Sequence, residues 1–154
     1  MAALIDSSVF VELERRGLRL SALTRLVPDA PLALASITAS ELLVGVHRAN
    51  TPARRIGREA FVEAVLEAVP VLAFDLHVAR VHARLLAQRS ELGQPVGSRD
   101  PLIAATAIAQ GSEVLTDNPR DFTRIPGLTV RQPDWQAEWM RAAAATPPPS
   151  GQWR

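Results

Sequence analysis

The sequence predicts an α/β protein, a three-layer α/β/α sandwich around a central parallel sheet. Two observations predict it. Short apolar runs that read as strands alternate with longer stretches of helical periodicity, and such alternation yields parallel strands whose crossover helices cover both faces. The segment 102–109 is apolar almost all round, and a helix without a polar face is a buried one.

The first strand, residues 2–5, ends at Asp6 and feeds a helix over 8–16 that stops near Gly17. A short helix over 21–27 ends at Pro28, and residues 31–37 read as the second strand. Thr38-Ala39-Ser40-Glu41 follows, then a helix reaching Ala49, broken by Asn50-Thr51-Pro52. Beyond Arg54, Phe61, Val62, Val65, Leu66 and Val69 recur at three- and four-residue steps, with Arg55, Arg58, Glu59 and Glu63 between them. That is an amphipathic helix, stopped by Pro70. Strand three is 71–74. Asp75 is placed to cap a helix to about residue 92, with Val78, Val81 and Leu85 inward and Arg80, Arg84 and Arg89 outward.

A loop over 93–97 leads to Asp100-Pro101, a carboxylate at the N-cap with proline at the first helical position. Gln110 and Gly111 close that helix. Residues 113–116 read as strand four, Asp117-Asn118-Pro119 as a turn, and 128–130 as the last strand. Trp135 and Trp139, four apart, suit a short helix laying an aromatic edge on the body. The expected division is one domain over 1–133 and an extension over 134–154. The extension is a short helix followed, from residue 142, by a Pro-rich disordered tail.

At 154 residues the chain is long enough for one domain with a substantial core. It has no run of 18 apolar residues and no basic segment leading into an apolar one at its start, so neither a membrane span nor a secretory signal is expected and the expected location is cytoplasmic. The absence of cysteine excludes disulfides and thiolate metal sites. All 17 basic residues are arginine. Arginine suits bidentate phosphate contact, although genome base composition produces the same bias.

Four acids stand out by position. Asp6, Glu41 and Asp117 follow predicted strands one, two and four, and Asp100 opens the helix feeding strand four. Each has a local alternative. Asp6 and Asp100 suit helix caps, Thr38 and Glu41 have capping-box spacing, and Asp117 suits a turn. Taken together they converge at the carboxyl end of one sheet, where α/β proteins build their sites. Clustered carboxylates repel unless cations neutralise them. An all-oxygen donor set selects hard cations, Mg²⁺ or Mn²⁺. One such ion, or two about 3.5–4 Å apart, equips a site for phosphodiester hydrolysis.

Other chemistries fit less well. His77 and His82 lie five apart on one predicted helix, about 140° apart around it, which breaks the i, i+4 zinc pairing. His47 is isolated. No phosphate-binding glycine motif of either common kind occurs. A haloacid-type phosphatase needs a second aspartate at position 8, where Ser8 stands, and a receiver domain needs a lysine.

These residues resemble those of PIN-domain ribonucleases, specifically the VapC-type toxins of bacterial toxin–antitoxin pairs. The resemblance is carried by Leu4-Ile5-Asp6-Ser7-Ser8-Val9 and Ser40-Glu41-Leu42-Leu43-Val44-Gly45. It is carried further by Arg99-Asp100-Pro101-Leu102-Ile103-Ala104-Ala105-Thr106-Ala107, by Leu115-Thr116-Asp117-Asn118-Pro119-Arg120-Asp121-Phe122 and by Ile125-Pro126-Gly127-Leu128. It spans residues 2–131. The family more often has threonine where Ser7 stands, a conservative departure.

The resemblance implies a PIN-like α/β/α fold and an endoribonuclease dependent on Mg²⁺, with Mn²⁺ as a substitute. By position, Asp6, Glu41 and Asp100 look like the three near-obligatory acids and Asp117 like the more variable fourth. Ser8 and Thr116 resemble the hydroxyl residues that hold water or orient the acids. Asp121 either joins the site or braces the turn. The resemblance also implies a structured RNA such as tRNA or rRNA, or an mRNA, as substrate, with translation inhibited. The implied partner is a VapB-type antitoxin that wraps the groove, often blocks the site with an arginine, and carries the pair onto operator DNA. A homodimer and no membrane partner are expected. The alternative from another class is a non-catalytic PIN-like module that binds nucleic acid or a partner.

Overall fold

A computed structural model describes residues 1–93 and 99–145. Five strands, β1 (Ala3–Ile5), β2 (Leu32–Ala35), β3 (Val71–Leu72), β4 (Glu113–Leu115) and β5 (Val130–Arg131), form one parallel sheet in the order β3-β2-β1-β4-β5. The helices are α1 (Ser7–Arg15), α2 (Ala22–Leu26), α3 (Ser36–His47), α4 (Pro52–Ala68), α5 (Leu76–Glu91), α6 (Asp100–Ala109) and α7 (Trp135–Ala145), with a 3-10 turn at Pro119–Asp121.

Successive strand side chains point to opposite faces, and this sorts the core into two halves. Ala3 and Ile5 of β1, Leu34 of β2 and Leu115 of β4 pack with Val9 and Phe10 of α1, Val46 of α3 and Val62 and Val65 of α4. Leu4, Ala33 and Val114 turn the other way, against Val78, Val81 and Leu85 of α5 and Ile103 and Ala104 of α6. The expected three-layer sandwich is the observed one. Each fully buried leucine, isoleucine or phenylalanine contributes about 1.5–3 kcal/mol relative to exposure.

The chain runs from β1 to β2 and β3 at one edge, then returns past β1 to lay β4 and β5 on the other side. This reversal opens a crevice beyond the carboxyl ends of β1 and β4, where open α/β sheets bind ligands. Ile5 pairs with Leu115, and the Asp6 N–H donates to the Leu115 carbonyl at 2.9 Å. Residue 6 is thereby set beside residues 116 and 117.

Several boundaries differ from the sequence expectation. Strand two ends at Ala35 rather than at residue 37, and α3 starts at Ser36. The apolar run 31–37 hides this junction, because the chain turns into helix as soon as strand pairing ends. Thr38 becomes a buried residue inside α3, Ala35 is the N-cap, and no side-chain cap forms there. The Thr38–Glu41 capping box is therefore absent. Asp100 is the first residue of α6 and not its cap. Arg99 holds the cap position, its carbonyl accepting from the Leu102 and Ile103 N–H groups.

Strand three covers just Val71–Leu72. The last strand is shifted to Val130–Arg131 by pairing of Val130 with Val114 and Arg131 with Leu115. Residues 142–145, expected in the tail, continue α7. The rest of that tail, 146–154, and positions 94–97 of the loop before α6 lie outside the described residues. Gly111 closes α6 as expected. It sits at φ +61°, a left-handed value that glycine adopts without strain, and lets the Ser112 N–H reach the Ala107 carbonyl at 2.8 Å. Among the described residues no helix is long and apolar enough to cross a membrane.

Candidate active site

Asp6 occupies the N-cap position of α1 with extended backbone, yet its side chain makes no capping bond. Its Oδ2 instead accepts from Ser8 Oγ at 2.7 Å and from Thr116 Oγ1 at 2.8 Å. Each hydroxyl in turn accepts a backbone N–H, Ser8 from Asp117 at 3.0 Å and Thr116 from Asn118 at 3.0 Å. A hydroxyl has one proton to give. With both protons committed to Asp6, the 3.3 Å approach of Ser8 Oγ to Thr116 Oγ1 is proximity and not a third bond. Thr116 is fully buried and Asp6 is 7% exposed, so the clamp is built into the floor of the crevice. Both hydroxyls fall on one oxygen of Asp6 and leave Oδ1 untouched.

Asp6, Ser8, Glu41, Asp100, Asp117 and Asp121 all line one open cavity of about 410 Å³. They come from the end of β1, α1, the second turn of α3, the start of α6 and the segment after β4. The structure therefore brings the expected site residues together, with Thr116 beneath them. Glu41 Oε1 lies 2.7 Å from Arg99 Nη1, across the mouth of the cavity. This pair also borders a second cavity of about 320 Å³, lined by Phe10, Leu42, Phe61 and Arg58.

Two residues here escaped the sequence reading. Trp135 donates from Nε1 to Asp117 Oδ1 at 2.8 Å. It was legible as a core edge, and the need of a buried indole N–H for an acceptor was the signal that pointed further. Glu12 also lines the cavity, 8% exposed, four residues and hence one helical turn beyond Ser8. Its carboxylate is held by Arg15 at 3.0 Å and Arg16 at 2.9 Å.

The donor set is oxygen alone, which suits a hard cation. Among the described residues, no three carboxylate or imidazole groups stand close enough to enclose an ion as they are. Mg²⁺ does not require such a cage. It keeps several waters and binds through one or two carboxylates plus substrate oxygens. A roomy cavity with acids around its wall fits that habit, and Arg99 neutralises part of the charge meanwhile.

The PIN domain family model matches residues 3–128 of this chain. The chain belongs to the PIN-domain family. Ribonuclease VapC1 of Rickettsia felis is 35% identical over 130 residues, covering 84% of this chain and 95% of that protein. The tRNA(fMet)-specific endonuclease VapC of Salmonella typhimurium is 35% identical over 104 residues, 68% of this chain and 75% of that one. Among solved structures, VapBC-5 of Mycobacterium tuberculosis, a member of the VapBC family of toxin–antitoxin systems, superposes with a TM-score of 0.65 at 33% identity, covering 86% of this chain and 98% of that one. The chain is thus a PIN-domain nuclease of the VapC group, and the resemblance carried by the short motifs is a family relationship along most of its length.

Proposed function

We propose that this chain is the toxin of a toxin–antitoxin pair, a cytoplasmic endoribonuclease whose divalent cation, Mg²⁺ or in its place Mn²⁺, is held by Asp6, Glu41, Asp100 and Asp117. One observation carries the reading. Asp6, free to cap α1, makes no capping bond and is instead clamped by Ser8 and Thr116 at a cavity that the other three acids share. A purely structural aspartate at that position would cap.

PIN-domain ribonucleases generally depend on a divalent metal. A bound cation supplies Lewis acidity, acidifying water and offsetting charge on the phosphoryl oxygens. Ser8 and Thr116 hold Asp6 in one rotamer, so that no reorganisation is needed when substrate arrives. A carboxylate not engaged by the cation accepts the proton of the attacking water. Arg48, Arg54, Arg55, Arg58 and Arg99 supply positive charge for the RNA backbone. Aromatic residues make up 5% of the chain and tyrosine is absent, so recognition rests on RNA shape more than on base stacking.

The tRNA(fMet) specificity of the Salmonella typhimurium relative makes structured RNA, tRNA first, the substrate to try, with arrest of translation as the outcome. A VapB-type antitoxin is the proposed partner, as in the VapBC-5 toxin–antitoxin system. It would block the acidic cavity and carry the pair onto operator DNA, and the toxin itself would form a homodimer. Residues 1–133 constitute the nuclease domain in this reading, with 134–154 as its extension.

The test is cleavage of tRNA and other structured RNAs by the full chain with Mg²⁺, with EDTA, and with Asp6→Asn. Cleavage abolished in both controls supports the metal nuclease. No cleavage of any RNA, joined with no Mn²⁺ binding by calorimetry, overturns it in favour of a non-catalytic binding module.

A further inference from the structure

We infer that Trp135 is a positioning residue for the acidic site: its indole N–H fixes Asp117 Oδ1 and leaves Oδ2 as the oxygen offered to a divalent cation, an inference that rests on the proposed metal-dependent function. Asp117 follows β4 in a short connection, where a carboxylate would ordinarily rotate freely. Here its backbone N–H is tied to Ser8 Oγ at 3.0 Å and its Oδ1 to Trp135 Nε1 at 2.8 Å. Main chain and side chain are thus pinned by two different helices, the one by α1 and the other by α7.

The donor is itself immobilised. Trp135 is 8% exposed, and the Arg16 guanidinium lies 5.1 Å from its ring centroid, within cation–π range. Arg16 is steadied by Glu12 Oε2 at 2.9 Å. The helix that carries the indole is anchored one turn on, where fully buried Glu138 accepts from Arg25 Nε of α2 at 2.8 and 3.1 Å. Its start is capped by Asp134 Oδ1, which accepts from the Ala137 N–H at 2.9 Å.

The chemistry of the donor matters. Indole offers one N–H and no acceptor, so it fixes which oxygen faces it. It is also neutral. Arg99 at Glu41 orients a carboxylate by supplying a competing positive charge, whereas Trp135 orients Asp117 and leaves its negative charge available. A residue that holds an acid for a cation without displacing that cation has these two properties.

The experiment is Mn²⁺ calorimetry on the full chain with Trp135→Phe, Asp117→Ala and both together, beside Trp139→Phe at a residue that is 61% exposed. Loss of a partner that orients a ligand weakens metal affinity about 10–100-fold. Trp135→Phe should raise the Mn²⁺ Kd at least about 10-fold, and should add nothing in the Asp117→Ala background. Trp139→Phe should leave the Kd unchanged. A folded Trp135→Phe protein with the parent Kd, or an effect that adds fully to that of Asp117→Ala, overturns the role of Trp135 while the acidic site stands. A folded parent that binds no Mn²⁺ overturns both. Should Trp135→Phe fail to fold, the Trp139→Phe, Trp153→Phe protein leaves Trp135 as the single emitter. Mn²⁺ must then quench it with the calorimetric midpoint, and unquenched emission at saturating Mn²⁺ overturns the inference.

Discussion

Asp6 and Thr116 meet across 110 positions of sequence, the threonine hydroxyl donating at 2.8 Å to a carboxylate that sits at a helix cap but does not cap. Thr116→Val keeps the shape and removes the hydroxyl. Asp6 Oδ2 then loses one of its two donors and the Asn118 N–H loses its acceptor. Losing these two hydrogen bonds costs about 1–3 kcal/mol in all. Thr116→Val should therefore unfold at lower denaturant with an unchanged slope, and its cleavage rate should fall. Thr116→Ser should recover both, and a Thr116→Val protein with parent stability and rate would show the clamp to be idle.

Arg99 should work in two opposite directions. Its side chain is 68% exposed, and pairs of that kind contribute about 0–1 kcal/mol, so Arg99→Ala should leave Tm nearly unchanged. Freed of its cation, Glu41 should bind Mn²⁺ more tightly by calorimetry. RNA affinity, measured in the Asp6→Asn background, should weaken, and its dependence on log salt should flatten by about one. If both affinities move together, Arg99 is not competing for Glu41.

The anchor of α7 is a buried carboxylate. Glu138 is fully buried and takes its charge partner from Arg25 on α2, with Arg141 farther off at 3.9 Å. The Glu138 carboxylate in turn raises the Arg25 pKa through their hydrogen bond. Arg25→Ala should lower Tm clearly and Arg141→Ala only slightly, because an unpaired buried charge is what destabilises. Equal effects on Tm would place the weight on Arg141.

Burial lowers the pKa of His82 below its ordinary 6.5, so the fold favours the neutral ring, which meets Phe74 edge-on at 5.7 Å. A depressed pKa of this kind contributes stability that is present above about 6.5 and lost as pH falls through the lower folded value. The parent protein should lose Tm faster between pH 7 and 5 than His82→Phe does. Parallel Tm curves would mean that His82 has no part in the acid sensitivity.

Much of the site was legible because its acids follow strands, and strands show as short apolar runs. Asp6, Glu41 and Asp117 are located by that rule, and Ser8 and Thr116 by the family resemblance. For Glu41 the rule names the residue but not its place inside α3. The run 31–37 conceals the point where pairing stops, and the register of β2 against β1 and β3, which no local signal carries, decides that α3 begins at Ser36. The Asp-Pro pair fits a cap as well as a first turn, and local sequence does not separate the two; the Arg99 carbonyl takes the cap role and Asp100 is the first helical residue. The Trp135–Asp117 bond lay beyond reach, since it depends on how α7 docks. The Arg25 and Glu138 that fix this docking are 113 residues apart.

The sheet order sets a sequence of events in time. β1 is synthesised first, yet one of its two neighbours, β4, follows more than a hundred residues later. At about 5–20 residues per second, a ribosome takes roughly 5–20 s to cover that distance. Throughout that interval the nascent chain carries its first acid without Thr116, Asp117 or Trp135. A chain ending at residue 112 should bind no Mn²⁺. Until β4 pairs with β1 and α7 follows, the cavity that gathers the acids is incomplete. Strand order thus makes completion of the acidic cavity a late event in synthesis.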